Sequence, residues 1–156
     1  MFNVSKRVLY YLLCCKWRQQ FHRLWNCREF INSYISFSLK AYRIHVFTDT
    51  LRAIDSPKRI CFLVDKDIKH LAITPYHMRD LKSHSVPDDV YSGSNSLEIS
   101  SFPLCQLISK KLNWEFNCSY RVLGKVGKIS GGQKAVVFDL TNAETIKDTK
   151  NGQAGE

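Results

Sequence analysis

The clearest alternation of apolar and polar segments lies in residues 59–76. An apolar, partly β-branched run at 60–64 is followed by the polar triplet 65–67, and a second apolar run at 71–73 precedes Pro75. Two such runs separated by turn residues predict a β-hairpin, and a proline ends the strand pairing. Because almost every residue of the first run is apolar, we expect that strand to be covered on both faces and to form part of the core.

A helix and a second hairpin are predicted further along the chain. Residues 102–114 combine a proline in the first turn with an asparagine at the end, where a left-handed cap is tolerated. Its apolar positions at helical spacing are Leu104, Leu107, Ile108 and Leu112. Strands are predicted at 119–126 and 134–140, and the glycines of 127–133 indicate a hairpin loop between them.

The remaining central segments give weaker patterns. Residues 34–38 alternate as a short strand, 39–54 carry apolar residues near helical spacing with a break near Thr48, and 97–99 form another short strand. Residues 76–96 are polar and show no sustained period, which predicts an exposed loop of about twenty residues. A loop of that length is either mobile or used in function.

The predicted fold class is therefore α+β: two β-hairpins forming a small antiparallel sheet with a packed helix, preceded by a basic amphipathic helix. The domain spans 34–140, the N-terminal helix 1–33, and a disordered polar tail 141–156. The N-terminal apolar stripe comprises Tyr10, Leu13, Cys14, Trp17, Phe21, Leu24, Trp25 and Ile31. This helix packs on the domain, lies in a membrane interface or faces nucleic acid; alternatively, an upstream start codon has added a segment with little role in the fold.

Charge narrows the class of partner. The chain has 23 Lys and Arg against 14 Asp and Glu, a net charge of +9, and the excess is greatest in residues 1–47. A basic surface attracts nucleic acid, anionic membrane or an acidic protein. Six cysteines without a CxxC pair argue against a disulfide scaffold and for a reducing compartment, so we expect a cytoplasmic protein. No apolar run approaches the roughly 20 residues of a transmembrane helix.

Catalytic, cofactor and metal motifs are weak. The segment ISGGQ at 129–133 looks like the signature pentapeptide of ABC-type ATPases, but it joins two strands and no GxxxxGK[ST] sequence accompanies it. The spacing of Cys14, Cys15, His22 and Cys27 matches no zinc motif. The carboxylate pairs at 65/67 and 88/89 are explained by turn chemistry. We therefore expect no enzyme activity, no cofactor and no metal.

Nucleic-acid binding has compositional support. Basic residues cluster on both predicted hairpins, and phosphate contacts require only such charges. The candidate nucleic-acid-binding residues are Lys58, Arg59, Lys66, Lys69, Arg121, Lys125, Lys128 and Lys134. A solvated basic surface without a binding role is the competing interpretation.

A family resemblance agrees with this hypothesis. The order of a strand at 34–38, a helical segment and SPKRICFLVDKDIKHLAITP at 56–75 resembles the strand-helix-hairpin unit of AbrB-like transcription factors, which are small bacterial regulators. The chain also looks like small proteins of bacterial mobile elements and phages. The family usually has Gly-Asp before its hairpin, where this chain has Pro57-Lys58. The resemblance implies a dimeric DNA-binding fold, with Lys58 and Arg59 at the DNA.

Two functions follow as expectations. The first is a non-enzymatic nucleic-acid-binding regulator from a bacterial or phage mobile element, acting on duplex DNA, with a homodimer as its oligomeric form. The alternative is a protein-binding module or inhibitor, for example an anti-defence protein, that acts through a basic surface and the 76–96 loop.

Overall fold

The computed structural model describes residues 33–80, 83–93, 96–128 and 132–146. Within them, nine strands form one antiparallel sheet: β1 (Ser33–Ser38), β2 (Arg43–Val46), β3 (Arg59–Val64), β4 (His70–Pro75), β5 (Ser83–Ser85), β6 (Leu97–Ser100), β7 (Ser119–Lys128), β8 (Lys134–Asp139) and β9 (Glu144–Ile146). The helices are α1 (Thr48–Ala53), α2 (Asp89–Ser92) and α3 (Phe102–Leu112), with short 3₁₀ turns at Leu39–Ala41 and Leu140–Asn142.

The sheet curls into a nearly closed barrel. Its strand order is β5-β3-β4-β8-β7-β1-β2-β6, and β9 pairs with β7 outside this path. The two outermost strands, β5 and β6, follow each other in sequence, and α2 lies in the connection between them. This connection is fixed to its surroundings: Thr48 Oγ1 donates to Val90 O at 3.2 Å, and Arg52 Nη2 donates to Tyr91 O at 3.1 Å.

The predicted small two-hairpin sheet with a packed helix is wrong as a description of the architecture. Both hairpins exist, with Phe62 opposite Ile73 in one and Val126 opposite Val136 in the other. However, β4 also pairs with β8, and β7 also pairs with β1, so the hairpins are neighbours within a larger sheet. The pairings that extend the sheet join residues far apart in sequence, and no local pattern specifies them.

The predicted helix over 39–54 is wrong in its first part. Tyr42 adopts a left-handed backbone conformation (φ 52°) after the 3₁₀ turn, and β2 begins at the next residue. Ile44 and Val46 are then buried while Arg43 is exposed, which is the period of a strand. Only α1 (Thr48–Ala53) is helical.

Other local predictions are confirmed. α3 covers most of the segment predicted as a helix, has its proline in the first turn, and ends at Asn113 with φ 53°. The predicted strands at 34–38 and 97–99 correspond to β1 and β6. Gly132 has φ +80°, as the predicted tight hairpin connection requires.

The polar segments contain more regular structure than the sequence predicts. The supposed loop at 76–96 contributes β5 and α2, and the supposed disordered tail contributes β9. Each of these elements has only three or four residues, too few to show a hydrophobic period. The predicted N-terminal helix lies outside the described residues apart from Ser33, which belongs to β1. Residues 147–156 of the predicted tail also lie outside them.

The core fills the barrel with alternate side chains, including Ile35, Phe37, Ile73 and Phe138, none of which has measurable exposure. Gly124 lies opposite Phe138 on the neighbouring strand. A Cβ atom at this glycine would lie 2.5 Å from Val136 Cγ1 and 2.6 Å from Phe138 Cε1. The absence of a side chain at 124 therefore allows the aromatic ring to pack against the β7 backbone.

The described cysteines differ in exposure. Cys61 and Cys105 are buried, as expected for small apolar residues in apolar runs, and Cys118 is half-buried. Burial raises the pKa of the Cys105 thiol to about 12, so this thiol stays protonated at neutral pH and is a poor nucleophile. No helix among the described residues is both long enough and apolar enough to cross a lipid bilayer.

Candidate functional site

A cleft opens where β3 begins and β4 and β5 end. The Tyr76 N–H donates to Arg59 O, and the Val86 N–H donates to Lys58 O, both at 2.9 Å. The chain therefore leaves the sheet on both sides of residues 58–59. Residues 76–79 form one wall of the cleft and 85–88 form the other, with 58–59 between them. The volume of this open cleft is about 630 Å³.

The cleft has stiff apolar edges and a cationic interior. Pro57, Pro75 and Pro87 lie around it, and their fixed φ angles restrict movement of the chain there. The cleft is lined by three cationic side chains and one carboxylate: Lys58, Arg59, Arg79 and Asp88. Within the described ranges, neither Lys58 nor Arg79 forms an ion pair with a carboxylate. The site can therefore hold an anion.

Arg59 is held in place by the β5 side of the cleft. Its Nε and Nη2 groups donate to Ser83 Oγ at 3.0 and 2.6 Å, and Ser83 Oγ donates to Asp80 O at 3.1 Å. Two N–H groups of one guanidinium on a single acceptor fix the plane of the group. Arg59 thus carries an oriented charge rather than a freely rotating one.

His84, which pairs with Ile60 next to Arg59, does not add to the positive charge of the cleft. Its ring packs on Phe62, with the ring centroids 5.3 Å apart. Burial, and secondarily the Arg59 guanidinium, lower the pKa of His84 below its ordinary value of 6.5. The imidazole is therefore neutral at physiological pH, and the positive charge at this point belongs to Arg59.

Tyr76 is the aromatic residue of the cleft. Its hydroxyl donates to Asp80 Oδ2 at 2.7 Å, while its backbone N–H is held by Arg59 O. The preceding carbonyl, Pro75 O, accepts from Gln133 Nε2 at 2.6 Å. The half-buried tyrosine is consequently fixed from its backbone and from the tip of its side chain.

The sequence-predicted basic residues fall into separate groups. Lys58 and Arg59 line the cleft. Lys128 and Lys134 face each other across the β7–β8 hairpin at the same end of the sheet. Lys134 Nζ lies 2.9 Å from Asp55 Oδ1. Since both partners of this ion pair are substantially exposed, it contributes at most about 1 kcal/mol to stability.

The other four predicted residues lie elsewhere. Lys66 and Lys69 belong to the β3–β4 turn, which is about 20 Å from the cleft at the usual rise of a strand. Arg121 lies on the outer face of β7, with its guanidinium carbon 5.7 Å from the ring centroid of Tyr34 and 5.5 Å from that of Phe47. Lys125 is exposed further along β7. The eight residues therefore do not form one continuous surface.

The sequence reasoning did not identify Tyr76, His77 and Arg79, which complete the cleft. A signal is present in the sequence, because these residues follow directly after a predicted strand and begin the unusually long polar segment at 76–96. Their relation to Lys58 depends on the pairing of β3 with β4 and β5, and that pairing brings three separate segments together at one point.

One other cluster of ionisable side chains lies at the β3–β4 turn. Asp65 Oδ2 lies 2.8 Å from His70 Nδ1, but Asp65 Oδ1 also accepts from the backbone N–H groups of Lys69 and His70. These contacts explain the pair as part of the β3–β4 turn. No group of three or more metal-ligating side chains occurs in the part of the chain that the structure describes.

Comparisons of the chain with protein-family models, curated proteins and solved structures gave no match.

Proposed function

We propose that this protein is a non-enzymatic nucleic-acid-binding protein that contacts phosphates through the cleft end of its barrel. The observation that supports this proposal most directly is the concentration of Lys58, Arg59 and Arg79 in one open cleft. Lys128 adds a positive charge at the same end of the sheet, whereas the charge of the facing Lys134 is paired with Asp55. Such charges supply the electrostatic part of nucleic-acid binding without requiring a specific sequence.

The proposed contact surface is smaller than the one expected from the sequence. It excludes Lys66 and Lys69, which lie at the opposite end of β3 beside Asp65 and Asp67. It also excludes Arg121, whose guanidinium lies over two aromatic rings. A role in regulation for a bacterial or phage mobile element remains part of the proposal and follows from the resemblance described above.

The proposal is tested by a charge-neutralisation pair. Fluorescence anisotropy with a labelled mixed-sequence 30-mer, as single strand and as duplex, gives the dissociation constant over a series of salt concentrations. Lys58→Gln with Arg79→Gln removes two charges from the cleft. Each lost phosphate contact should reduce the slope of log K against log salt by about 0.7 to 0.9.

Lys66→Gln with Lys69→Gln is the matched control, because it makes the same change in net charge at the opposite end of the barrel. We expect this control to keep the wild-type slope. An equal reduction of the slope in both double variants would show that binding depends only on the net charge of the protein. Absence of binding to either form of the 30-mer at low salt would reject nucleic-acid binding altogether.

A second candidate function is the binding of an acidic protein through the same cleft. Met78, between two residues that line the cleft, is 65% exposed, and Met and Arg are enriched in the centres of protein interfaces. Recovery of a stoichiometric acidic protein partner, together with absence of nucleic-acid binding, would favour this function. The Arg79→Glu variant should lose this partner, and the Lys66→Glu variant should keep it.

A further inference from the structure

The shape of the cleft bears on which form of nucleic acid it accepts. Proteins that read duplex DNA insert a projecting helix or two-stranded ribbon into a groove about 12 Å wide. Here the cationic side chains line a concavity between two segments of chain. A volume of about 630 Å³ lies in the range of small-molecule sites, which suits one or two nucleotides and is too small for a double helix.

The residue types in the cleft also favour single-stranded nucleic acid. Sites for single strands combine cationic groups that follow the phosphates with aromatic side chains on which bases stack. Tyr76 supplies an aromatic side chain whose hydroxyl is anchored at 2.7 Å to Asp80. Lys58 and Arg79 supply the charges. Because the tyrosine is already fixed in place, a base stacking on it loses little affinity to the ordering of the side chain.

The opposite wall provides a different kind of group. Asp88 lines the cleft on the β5 side, across from Tyr76 and Arg79. A carboxylate repels phosphate but accepts hydrogen bonds from the amino and ring N–H groups of a base. Those groups are occupied by Watson–Crick pairing in a duplex and are accessible in an unpaired strand.

We propose that the cleft binds unpaired nucleotides of single-stranded DNA or RNA, with a base beside Tyr76, its phosphates on Lys58 and Arg79, and its polar edge toward Asp88. This inference rests on the proposed function and specifies the form of nucleic acid recognised.

The test uses the full chain and four labelled probes in fluorescence anisotropy at one ionic strength: dU15, rU15, a mixed-sequence 15-mer, and the duplex of that 15-mer. We expect the unpaired 15-mer to bind at least about 10-fold more tightly than its duplex, as a stacking site predicts. Comparison of dU15 with rU15 decides whether DNA or RNA is preferred, because the two carry the same base and only RNA carries the 2′-hydroxyl.

Two substitutions at one position then test the role of the ring. Tyr76→Leu should weaken binding of the single strand by about 5- to 150-fold, the range found when one stacked aromatic ring is removed. Binding of the duplex should not change. Tyr76→Phe keeps the ring, loses the hydroxyl that donates to Asp80, and should retain most of the wild-type affinity.

The outcomes separate the two proposals. Binding of the duplex as tight as that of the single strand would overturn the inference and leave the proposed function in place. Binding of none of the probes would reject both. If Tyr76→Leu does not fold, the comparison of single strand with duplex on the wild-type protein still decides, because it needs no variant.

Discussion

The packing of Phe138 against the β7 backbone leads to a specific prediction for Gly124→Ala. The added methyl carbon would lie 2.5 Å from Val136 Cγ1, and 2.6 and 3.0 Å from Phe138 Cε1 and Cδ1. Carbon atoms in ordinary contact are about 3.5 to 4.0 Å apart, so the overlap is about 1 Å at two atoms. Phe138 and Val136 are both fully buried, so relief requires the strands to move.

The expected loss of stability follows from two opposing terms. Overpacking in a closed core typically costs about 1 to 3 kcal/mol. Replacing glycine by alanine within a regular element regains about 0.5 to 1 kcal/mol of conformational entropy. Because the overlap is about 1 Å at two fully buried side chains, the overpacking cost should lie in the upper part of its range, about 2 to 3 kcal/mol, and the net destabilisation should be about 1 to 2.5 kcal/mol. β7 is held on both sides at this position, because Gly124 pairs with Ser33 of β1 as well as with Phe138.

Urea denaturation followed by circular dichroism measures this change as a lower midpoint with an unchanged slope. Gly132→Ala is the control, because its added methyl meets no atom within 4 Å and its cost comes only from a φ of +80°. Combining each change with Phe138→Leu should give a sub-additive loss for Gly124→Ala and an additive one for Gly132→Ala. A Gly124→Ala protein as stable as wild type, or additive losses at both positions, would refute the packing argument.

Three further predictions concern local chemistry. Because the fold lowers the pKa of His84, this histidine is protonated in the unfolded chain at a higher pH than in the folded protein. The free energy of unfolding should therefore fall as the pH drops below about 6.5. Urea titrations at several pH values measure this fall, which should be smaller in a folded His84→Gln variant. Asp65→Ala removes the acceptor of two backbone N–H groups and should lower the stability by about 1 to 3 kcal/mol. Asp67→Ala changes an exposed turn residue, and its stability should stay within about 0.5 kcal/mol of wild type. Thermal melts of the two variants test this difference. Iodoacetamide at neutral pH, read by peptide mass spectrometry, should label Cys118 before the buried Cys105, whose thiol has a pKa of about 12; faster labelling of Cys105 would contradict its burial.

The sequence identified the elements whose stabilising contacts are local. The β3–β4 hairpin has two apolar runs around a polar turn, and α3 has a proline start, an apolar stripe and a left-handed cap within eleven residues. By contrast, β2 has only four residues, and its order comes from pairing with β1 and β6. Such a strand carries too little pattern to be distinguished from a helix.

The candidate site likewise combines residues that a local pattern predicts with residues that only the strand pairing brings together. Lys58 and Arg59 could be selected because they stand at the start of a recognisable strand. Tyr76 and Arg79 could not be linked to them, since the cleft exists only where β4 and β5 leave the sheet on either side of β3. Charge alone selected Lys66 together with Lys58, although the length of the strand separates them.

The position of the two cleft walls has a mechanical consequence for the outermost strand β5. Among the described strands, β5 pairs only with β3, and the walls at 76–79 and 85–88 follow β4 and β5, which lie on either side of β3. A ligand that bridges the two walls would therefore tie the end of β5 to the end of β4. Occupancy of the cleft should slow amide hydrogen exchange in β5 more than in the distant β3–β4 turn.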